Sequence, residues 1–193
     1  MEGRLTEAGS ARQAPLSPTV QDAPAWRTPR PPFTIRSPGP ADAPELARLF
    51  SEMQRHYGEP VPDGASLAAA MTACSAPAGE AFAPRTFVAA DAAGAIWASI
   101  VLNVTFPASR LSRSLYVRDL YVAAAARRQG LARALLRAAA RLTLAEGYSA
   151  LDWTTDAGNA PARTMYEGAG AQPIGRVYYR MTGERLQRAA AGP

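Results

Sequence analysis

The stretch from Ser114 to Gly147 constrains the fold more than any other part of the chain. Its first part, Leu115 to Val122, is rich in β-branched and aromatic residues and predicts a strand. Alternation along a strand would direct neighbouring side chains to opposite faces of a sheet. The face predicted to carry Asp119 also holds Leu115, Val117 and Tyr121.

A short turn follows this strand and ends in Arg127-Arg128-Gln129-Gly130. The spacing of apolar residues then predicts a helix from about Leu131 to Glu146, with Gly147 as its left-handed cap. The first turn of a helix leaves backbone N–H groups without partners in the helix. Gly130 has no side chain, so an anion can approach the bare backbone, and the helix dipole and the arginines favour negative charge.

The anion expected at this turn is a phosphate or a pyrophosphate. The segment lacks the Gly-Lys-Ser/Thr of a P-loop, and it has one glycine where a dinucleotide-binding fingerprint has three. A basic strand-to-helix turn that binds nothing is the alternative interpretation, since every helix start is a generic anion site.

Three motifs together resemble the GNAT superfamily of acetyl-CoA-dependent N-acetyltransferases. Residues 127–132 match the R-x-x-G-x-G/A signature, residues 119–122 are similar to the family's DLYV strand, and residues 159–167 resemble its N-x-x-A-x-x-x-Y-E helix. The resemblance extends from about Phe33 to Leu186. It is closest to the branch that contains the spermidine/spermine and thialysine acetyltransferases.

The resemblance implies an α+β fold, a mixed sheet with helices on both faces whose central strands splay apart. The element order predicted from the residues, β α α β β β α β α β, agrees with it. In the family the pantetheine arm of acetyl-CoA lies between the splayed strands, so acetyl-CoA is the expected co-substrate. The residues expected to bind it are Leu120, Tyr121, Val122, Arg127, Arg128, Gln129, Gly130, Leu131, Ala132, Arg133 and Asn159.

Acetyl transfer to an amine requires a proton acceptor, a donor to the oxyanion and an acid for the leaving thiolate. The family's proton-donating tyrosine falls on Tyr166, and a phenol is protonated at neutral pH; a core aromatic with a satisfied hydroxyl is the alternative. Asp119 could hold the ammonium group or begin a water relay, or be satisfied by neighbouring backbone. Backbone N–H groups of residues 120–122 are the expected oxyanion donors.

Four residues are predicted to contact the acceptor: Arg118, Asp152, Trp153 and Tyr57. A carboxylate beside an aromatic ring suits a cationic acceptor, although Trp153 could equally be a core residue. Tyr57 and His56 end the first predicted helix, which in this family forms one wall of the acceptor site. Polyamine-acetylating relatives usually carry a glutamate at the position of Arg118, so a cation there disfavours polyamines and favours an amino acid or similar zwitterion.

The composition argues against several other classes of protein. The chain has one cysteine and one histidine, so neither a disulfide, a metal site nor a Ser-His-Asp mechanism is expected, unless His56 acts alone. The formal charge of +5 fits a binder of a phosphate-rich cofactor as well as a nucleic-acid binder, but no nucleic-acid motif accompanies it. No apolar run is long enough to span a membrane, and a reducing, cytoplasmic location is expected.

Three segments are predicted along the chain. Residues 1–32 are rich in proline and alanine and predict a disordered tail, with a misassigned translation start as the alternative. Residues 33–186 are expected to form the acetyltransferase domain, and residues 187–193 are expected to fray. Within the domain, a strand is predicted at Arg85 to Ala90, and Asp42 and Glu45 are expected to form a capping box at the start of the first helix. Asn159 is expected to cap the last helix by accepting from the Ala162 N–H, since Pro161 has no N–H to give. Because many family members are dimers, a homodimer through a predicted last strand at Val177–Met181 is one expectation.

The function that follows is transfer of acetyl from acetyl-CoA to a primary amine of a small molecule. Cys74 falls in the second predicted helix, away from the expected site, so direct transfer in a ternary complex is favoured over an acetyl-enzyme. A non-catalytic acyl-CoA-binding module of the same fold, and acetylation of a protein or peptide amine, are the alternatives.

Overall fold

The structure is a computed structural model that describes residues 29–75, 83–108 and 111–192. The chain divides into two compact units, the first ending at Trp153 and the second beginning at Thr154. Most of the predicted tail, residues 1–28, lies outside the described residues.

A five-stranded sheet in the order β1-β2-β3-β4-β5 forms the centre of the first unit. The first four strands pair antiparallel, whereas β5 runs parallel to β4 after a helical crossover. The predicted mixed sheet is therefore confirmed. The strands are β1 (Thr34–Arg36), β2 (Arg85–Ala90), β3 (Ile96–Thr105), β4 (Ser114–Val122) and β5 (Leu151–Asp152).

Three helices cover the two faces of this sheet: α1 (Ala43–His56), α2 (Gly64–Ser75) and α3 (Leu131–Ala145). Side chains of α1 reach Trp97 and Tyr121 on one face. On the opposite face α3 packs against β2, β3 and β4 through an apolar stripe that includes Leu131, Leu135 and Ala139. Because both faces are covered, seven successive residues of β3 are buried, and the strand reads as an apolar run.

The start of α1 differs from a capping box. Asp42 precedes the helix as expected, but its carboxylate accepts hydrogen bonds from Arg36 at 2.6 and 2.8 Å and from the Gly39 N–H at 2.8 Å. Glu45 instead accepts from the Ile96 N–H of β3 at 3.3 Å. The predicted cap is wrong because the Asp42 carboxylate is occupied by residues that precede it and the Glu45 carboxylate by a strand distant in sequence.

A β-bulge in β4 changes the predicted faces of that strand. Leu102 of β3 pairs with Val117 and Val101 pairs with Asp119, so Arg118 is an extra residue without a partner on β3. One inserted residue reverses the alternation beyond it. Asp119 and Tyr121 therefore lie on the face opposite to Leu115 and Val117. The prediction that all four residues share one face is wrong.

The second unit contains two helices, α4 (Ala160–Glu167) and α5 (Gly183–Ala191). The predicted cap of α4 is confirmed, since the Asn159 side chain accepts from the Ala162 N–H at 3.4 Å. The predicted strand Val177–Met181 is wrong: residues 171–182 form no regular element. The other described elements of this unit are helices, and a strand requires a neighbouring strand.

Helix α5 covers most of the C-terminal segment that was expected to fray, with an i,i+4 pair between Arg188 and Glu184 at 3.4 Å. No helix among the described residues is long and apolar enough to cross a membrane.

Candidate active site

The turn between β4 and α3 has the backbone geometry of an anion site. After a short 3-10 helix at Ala124–Ala126, Arg128 and Gly130 both take left-handed conformations, with φ of 64° and 78°. The first helical hydrogen bond runs from the Ala134 N–H to the Gly130 carbonyl at 3.0 Å, and no side chain caps the helix. The preceding N–H groups of α3 are thus available to a ligand, as in a backbone nest at a helix start.

The space in front of this turn is open. A Cβ placed on Gly130 would meet no described atom within 4 Å, so the glycine is required by its φ and not by packing inside the protein. Arg127, Arg128 and Arg133 surround the turn and are exposed. Bare N–H groups, a helix start and three cations suit a phosphate or a diphosphate.

The edge of β4 beside this turn has no neighbouring strand within the first unit. β5 pairs only with Leu115 and Tyr116, so the rest of β4 has no partner strand on that side among the described residues. The Leu115 N–H points to the β5 side, where it bonds to Ala150. Counting past the bulge, the N–H groups of Leu120 and Val122 point to the same open edge.

Asp119 lies on the sheet face covered by α1 and α2. It is in register with Val101 of β3 and Thr86 of β2, and its side chain is 30% exposed. Burial raises the pKa of the Asp119 carboxyl, while the Arg118 guanidinium, 3.8 Å away, partly opposes this. A carboxylate with a raised pKa can accept a proton more readily than an ordinary aspartate.

Cys74 is closer to Asp119 than its place in α2 suggested. The Cys74 thiol contacts Thr86, and the pKa of this thiol is raised by burial and by the negative charge of Asp119. The expectation of a cysteine remote from the site is therefore wrong, because α2 packs over the face that carries Asp119. A raised pKa keeps the group as a thiol, a weak nucleophile, so the geometry adds no support for an acetyl-enzyme.

A polar cluster formed by α1 was missed by the sequence analysis. The Tyr121 hydroxyl and the Ala124 N–H both donate to Glu52 Oε1, each at 3.1 Å. One helical turn later, His56 Nε2 accepts from Arg127 Nη2 at 3.3 Å. The i,i+4 spacing of Glu52 and His56 places both on one face of α1, and this was the available signal.

Electrostatics in this cluster follow from its contacts. Burial and the Arg127 charge lower the pKa of His56, with Glu52 acting in the opposite direction. Burial and Glu52 raise the pKa of Tyr121, a residue that is only 4% exposed. Tyr121 is thus a buried hydrogen-bond donor that anchors α1 to β4.

The predicted acceptor residues occupy different places. Arg118 protrudes at the bulge with 58% of its side chain exposed. Asp152 ends β5 in register with Tyr116, so it shares the sheet face of Asp119, and Trp153 follows it. Tyr57 is 60% exposed and packs edge-on against the His56 ring, with 5.1 Å between the ring centroids. Tyr57 therefore lies beside the polar cluster formed by α1.

Two predicted site residues belong to the second unit. Asn159 caps α4, and Tyr166 lies in the last turn of that helix, one residue before its end at Glu167. An ion pair between Arg163 and Glu167 at 3.8 Å also lies along the helix.

Comparison with known proteins identifies the family of the chain. A family model described as the acetyltransferase (GNAT) family matches residues 46–171, more than half of the chain, and includes β4, the turn, α3 and α4. The chain belongs to the GNAT acetyltransferase family. As a GNAT protein it is an acetyltransferase, and the acetyl donor of that family is acetyl-CoA.

Solved structures of similar fold include an integron cassette protein from the mobile metagenome of V. cholerae, with a TM-score of 0.70 and 25% identity over 83% of this chain and 98% of that one. Another is AAC(6')-Iy in complex with the bisubstrate analogue CoA-S-monomethyl-acetylneamine, with a TM-score of 0.64, 17% identity and coverage of 79% and 99%.

An aminoglycoside acetyltransferase from an uncultured soil metagenomic sample has a TM-score of 0.60, 18% identity and coverage of 79% and 100%. No curated protein sequence matches the chain significantly. The structural similarities therefore support the GNAT fold.

Proposed function

We propose that this GNAT protein transfers the acetyl group of acetyl-CoA to a primary amine of a small molecule, directly and in a ternary complex. The observation that carries the proposal is the turn before α3, where left-handed Arg128 and Gly130 present bare N–H groups among three exposed arginines. That arrangement supports binding of a diphosphate, and the open edge of β4 supports binding of the amide-bearing pantetheine arm.

The proton acceptor and the oxyanion donors are assigned to groups at the open edge of β4, and the acid is assigned to Tyr166 from the resemblance to the family alone. The amine nitrogen attacks the thioester carbonyl carbon, and its lost proton passes to Asp119, directly or through water. The N–H groups of Leu120 and Val122, which point to the open edge, are the proposed donors to the oxyanion. The carbon–sulfur bond then breaks, and Tyr166 gives its proton to the leaving thiolate.

The acceptor is proposed to carry a carboxylate beside its amine. Arg118 is more than half exposed and lies next to Asp119, so the pair presents one charge of each sign at the bulge. A zwitterion such as an amino acid matches that pair, whereas a polyamine meets a repelling cation. The resemblance to the spermidine/spermine and thialysine branch stays a prediction, and so does a cytoplasmic location, which the single cysteine favours.

The test is release of free thiol from acetyl-CoA with a panel of amines: amino acids, polyamines, aminoglycosides and peptides with free N-termini. Aminoglycosides are included because one of the proteins of similar fold is an aminoglycoside acetyltransferase. We expect thiol release with small zwitterionic amines. We also expect Arg118→Glu to shift the preference toward polyamines, and an unchanged preference would refute the role of Arg118.

Binding of coenzyme A without thiol release for any amine would contradict the enzymatic proposal and favour the acyl-CoA-binding module. Release with peptides alone would identify a peptide amine as the acceptor. Failure of coenzyme A to bind would refute the proposal as a whole.

A further inference from the structure

The α1 helix contacts the anion-binding turn at two points, through Glu52 and through His56. Glu52 accepts a hydrogen bond from the Ala124 N–H at the start of the turn, and His56 accepts one from Arg127 within the turn. The two side chains lie one helical turn apart, so α1 lies along the turn and not merely against one end of it. Apart from these contacts, α1 packs on the sheet through buried leucines.

Arg127 is held in one orientation by three contacts. Its Nε donates to the Val122 carbonyl at 3.3 Å, its Nη2 donates to His56 at 3.3 Å, and its guanidinium carbon lies 6.0 Å from the centroid of the Tyr121 ring. A guanidinium has five N–H donors, so these two hydrogen bonds leave others for an anion. An exposed arginine fixed in this way loses less conformational entropy when it binds.

The hydrogen bond requires a neutral His56, because Arg127 can only donate and Nε2 must therefore carry a lone pair. The charged or titratable groups around the imidazole are Glu52 and Tyr57 from its own segment, Tyr121 from β4 and Arg127 from the turn. Protonation of His56 would remove the acceptor and put two cations next to each other. Arg127 would then be released from its orientation.

We propose that His56 is a positioning residue that, in its neutral form, orients Arg127 toward the diphosphate of acetyl-CoA. The inference rests on the proposed function, since it assumes that the diphosphate binds at the turn. It also links the helix expected to line the acceptor site with the turn expected to hold the donor.

The experiment measures the Kd of coenzyme A by calorimetry for wild type, His56→Ala and His56→Gln at pH 7.5. Loss of the hydrogen-bond acceptor for Arg127 should weaken coenzyme A binding about three- to tenfold. His56→Gln should restore most of the affinity, because its side-chain oxygen can accept from Arg127. Because His56 is exposed, both variants are expected to fold, and thermal unfolding checks this.

Two further measurements separate positioning from a general structural effect. In an Arg127→Ala background, adding His56→Ala should cause no further loss. As the pH falls below about 6.5, the ordinary pKa of histidine, the Kd of wild type should rise relative to that of His56→Gln. The ratio of the two Kd values is the readout, because a phosphate of coenzyme A titrates in the same range and affects both proteins equally.

Equal affinity of wild type and His56→Ala would overturn the inference while leaving the proposed function intact. So would an undiminished effect of His56→Ala in the Arg127→Ala background. If the wild-type protein itself fails to bind coenzyme A, both the proposed function and this inference are refuted.

Discussion

Replacement of Gly130 by alanine separates the backbone cost of the turn from its role in binding. The φ of 78° costs an L-residue roughly 1–2 kcal/mol, and a Cβ at this position meets no described atom within 4 Å. We therefore expect Gly130→Ala to lower the unfolding temperature by about 2–8 °C. The added methyl group points into the space that the diphosphate would use. Loss of one charge-assisted hydrogen bond, about 1.5–3 kcal/mol, predicts at least a tenfold rise in the Kd of coenzyme A.

The chain offers a matched control in Gly147. It follows α3, has a φ of 69°, and likewise has no described atom within 4 Å of the position that an added Cβ would take. Gly147→Ala should cost the same stability but lies roughly 25 Å along the helix from the turn. Calorimetry on both variants, with thermal unfolding of each, decides the matter. If the two variants bind coenzyme A with equal affinity, the diphosphate does not lie against Gly130.

Three other changes test the remaining assignments. Tyr166→Phe should lower kcat about 100-fold in the thiol-release assay without changing the Kd of coenzyme A, and an unaltered kcat would exclude Tyr166 as the acid. Asp119→Asn should lower kcat/KM about 100-fold at neutral pH. In wild type, kcat/KM should fall as the pH drops through the raised pKa of Asp119, which lies above the usual aspartate range. A wild-type pH profile that is flat in that range would argue against Asp119 as the base. Asp42→Asn should reduce stability at pH 7 by up to about 1 kcal/mol. Because Arg36 lowers the Asp42 pKa, this stabilisation is present above the usual aspartate pKa of about 4 and is lost as the pH falls through the lowered pKa. The difference in urea unfolding between the two proteins should therefore shrink as the pH falls below the usual aspartate range.

The sequence predicted well those elements whose residues carry a local signal. The strand at Arg85–Ala90 and the helix from Leu131 were predicted at their observed positions because their apolar spacing matches one structure only. The cap at Asn159 was predicted because the proline two residues later leaves a single suitable N–H.

The errors have a common physical cause, which is contact between residues distant in sequence. The bulge at Arg118 depends on how β3 pairs with β4, and no residue type or pattern in either strand predicts it. The Glu45 carboxylate accepts from the Ile96 N–H of β3 instead of from the helix end. The residues at Val177–Met181 form no strand, since strand-forming residue types do not by themselves supply a neighbouring strand.

The candidate site divides in the same way. The turn and its arginines could be predicted because a backbone anion site is encoded by adjacent residues. The cluster of Glu52, His56 and Tyr121 could not, since α1 and β4 are far apart in the sequence and meet only in the folded chain.

The bulge at Arg118 also affects the tendency of the protein to aggregate in concentrated solution. An unpaired strand margin offers its peptide groups to any extended polypeptide, including another copy of itself, and such margins seed aggregation. Local kinks and protruding charges discourage that addition, and Arg118 supplies both at the midpoint of β4. Removing the extra residue would straighten the strand and leave a smoother, less charged template, so the resulting protein should be harder to keep monodisperse.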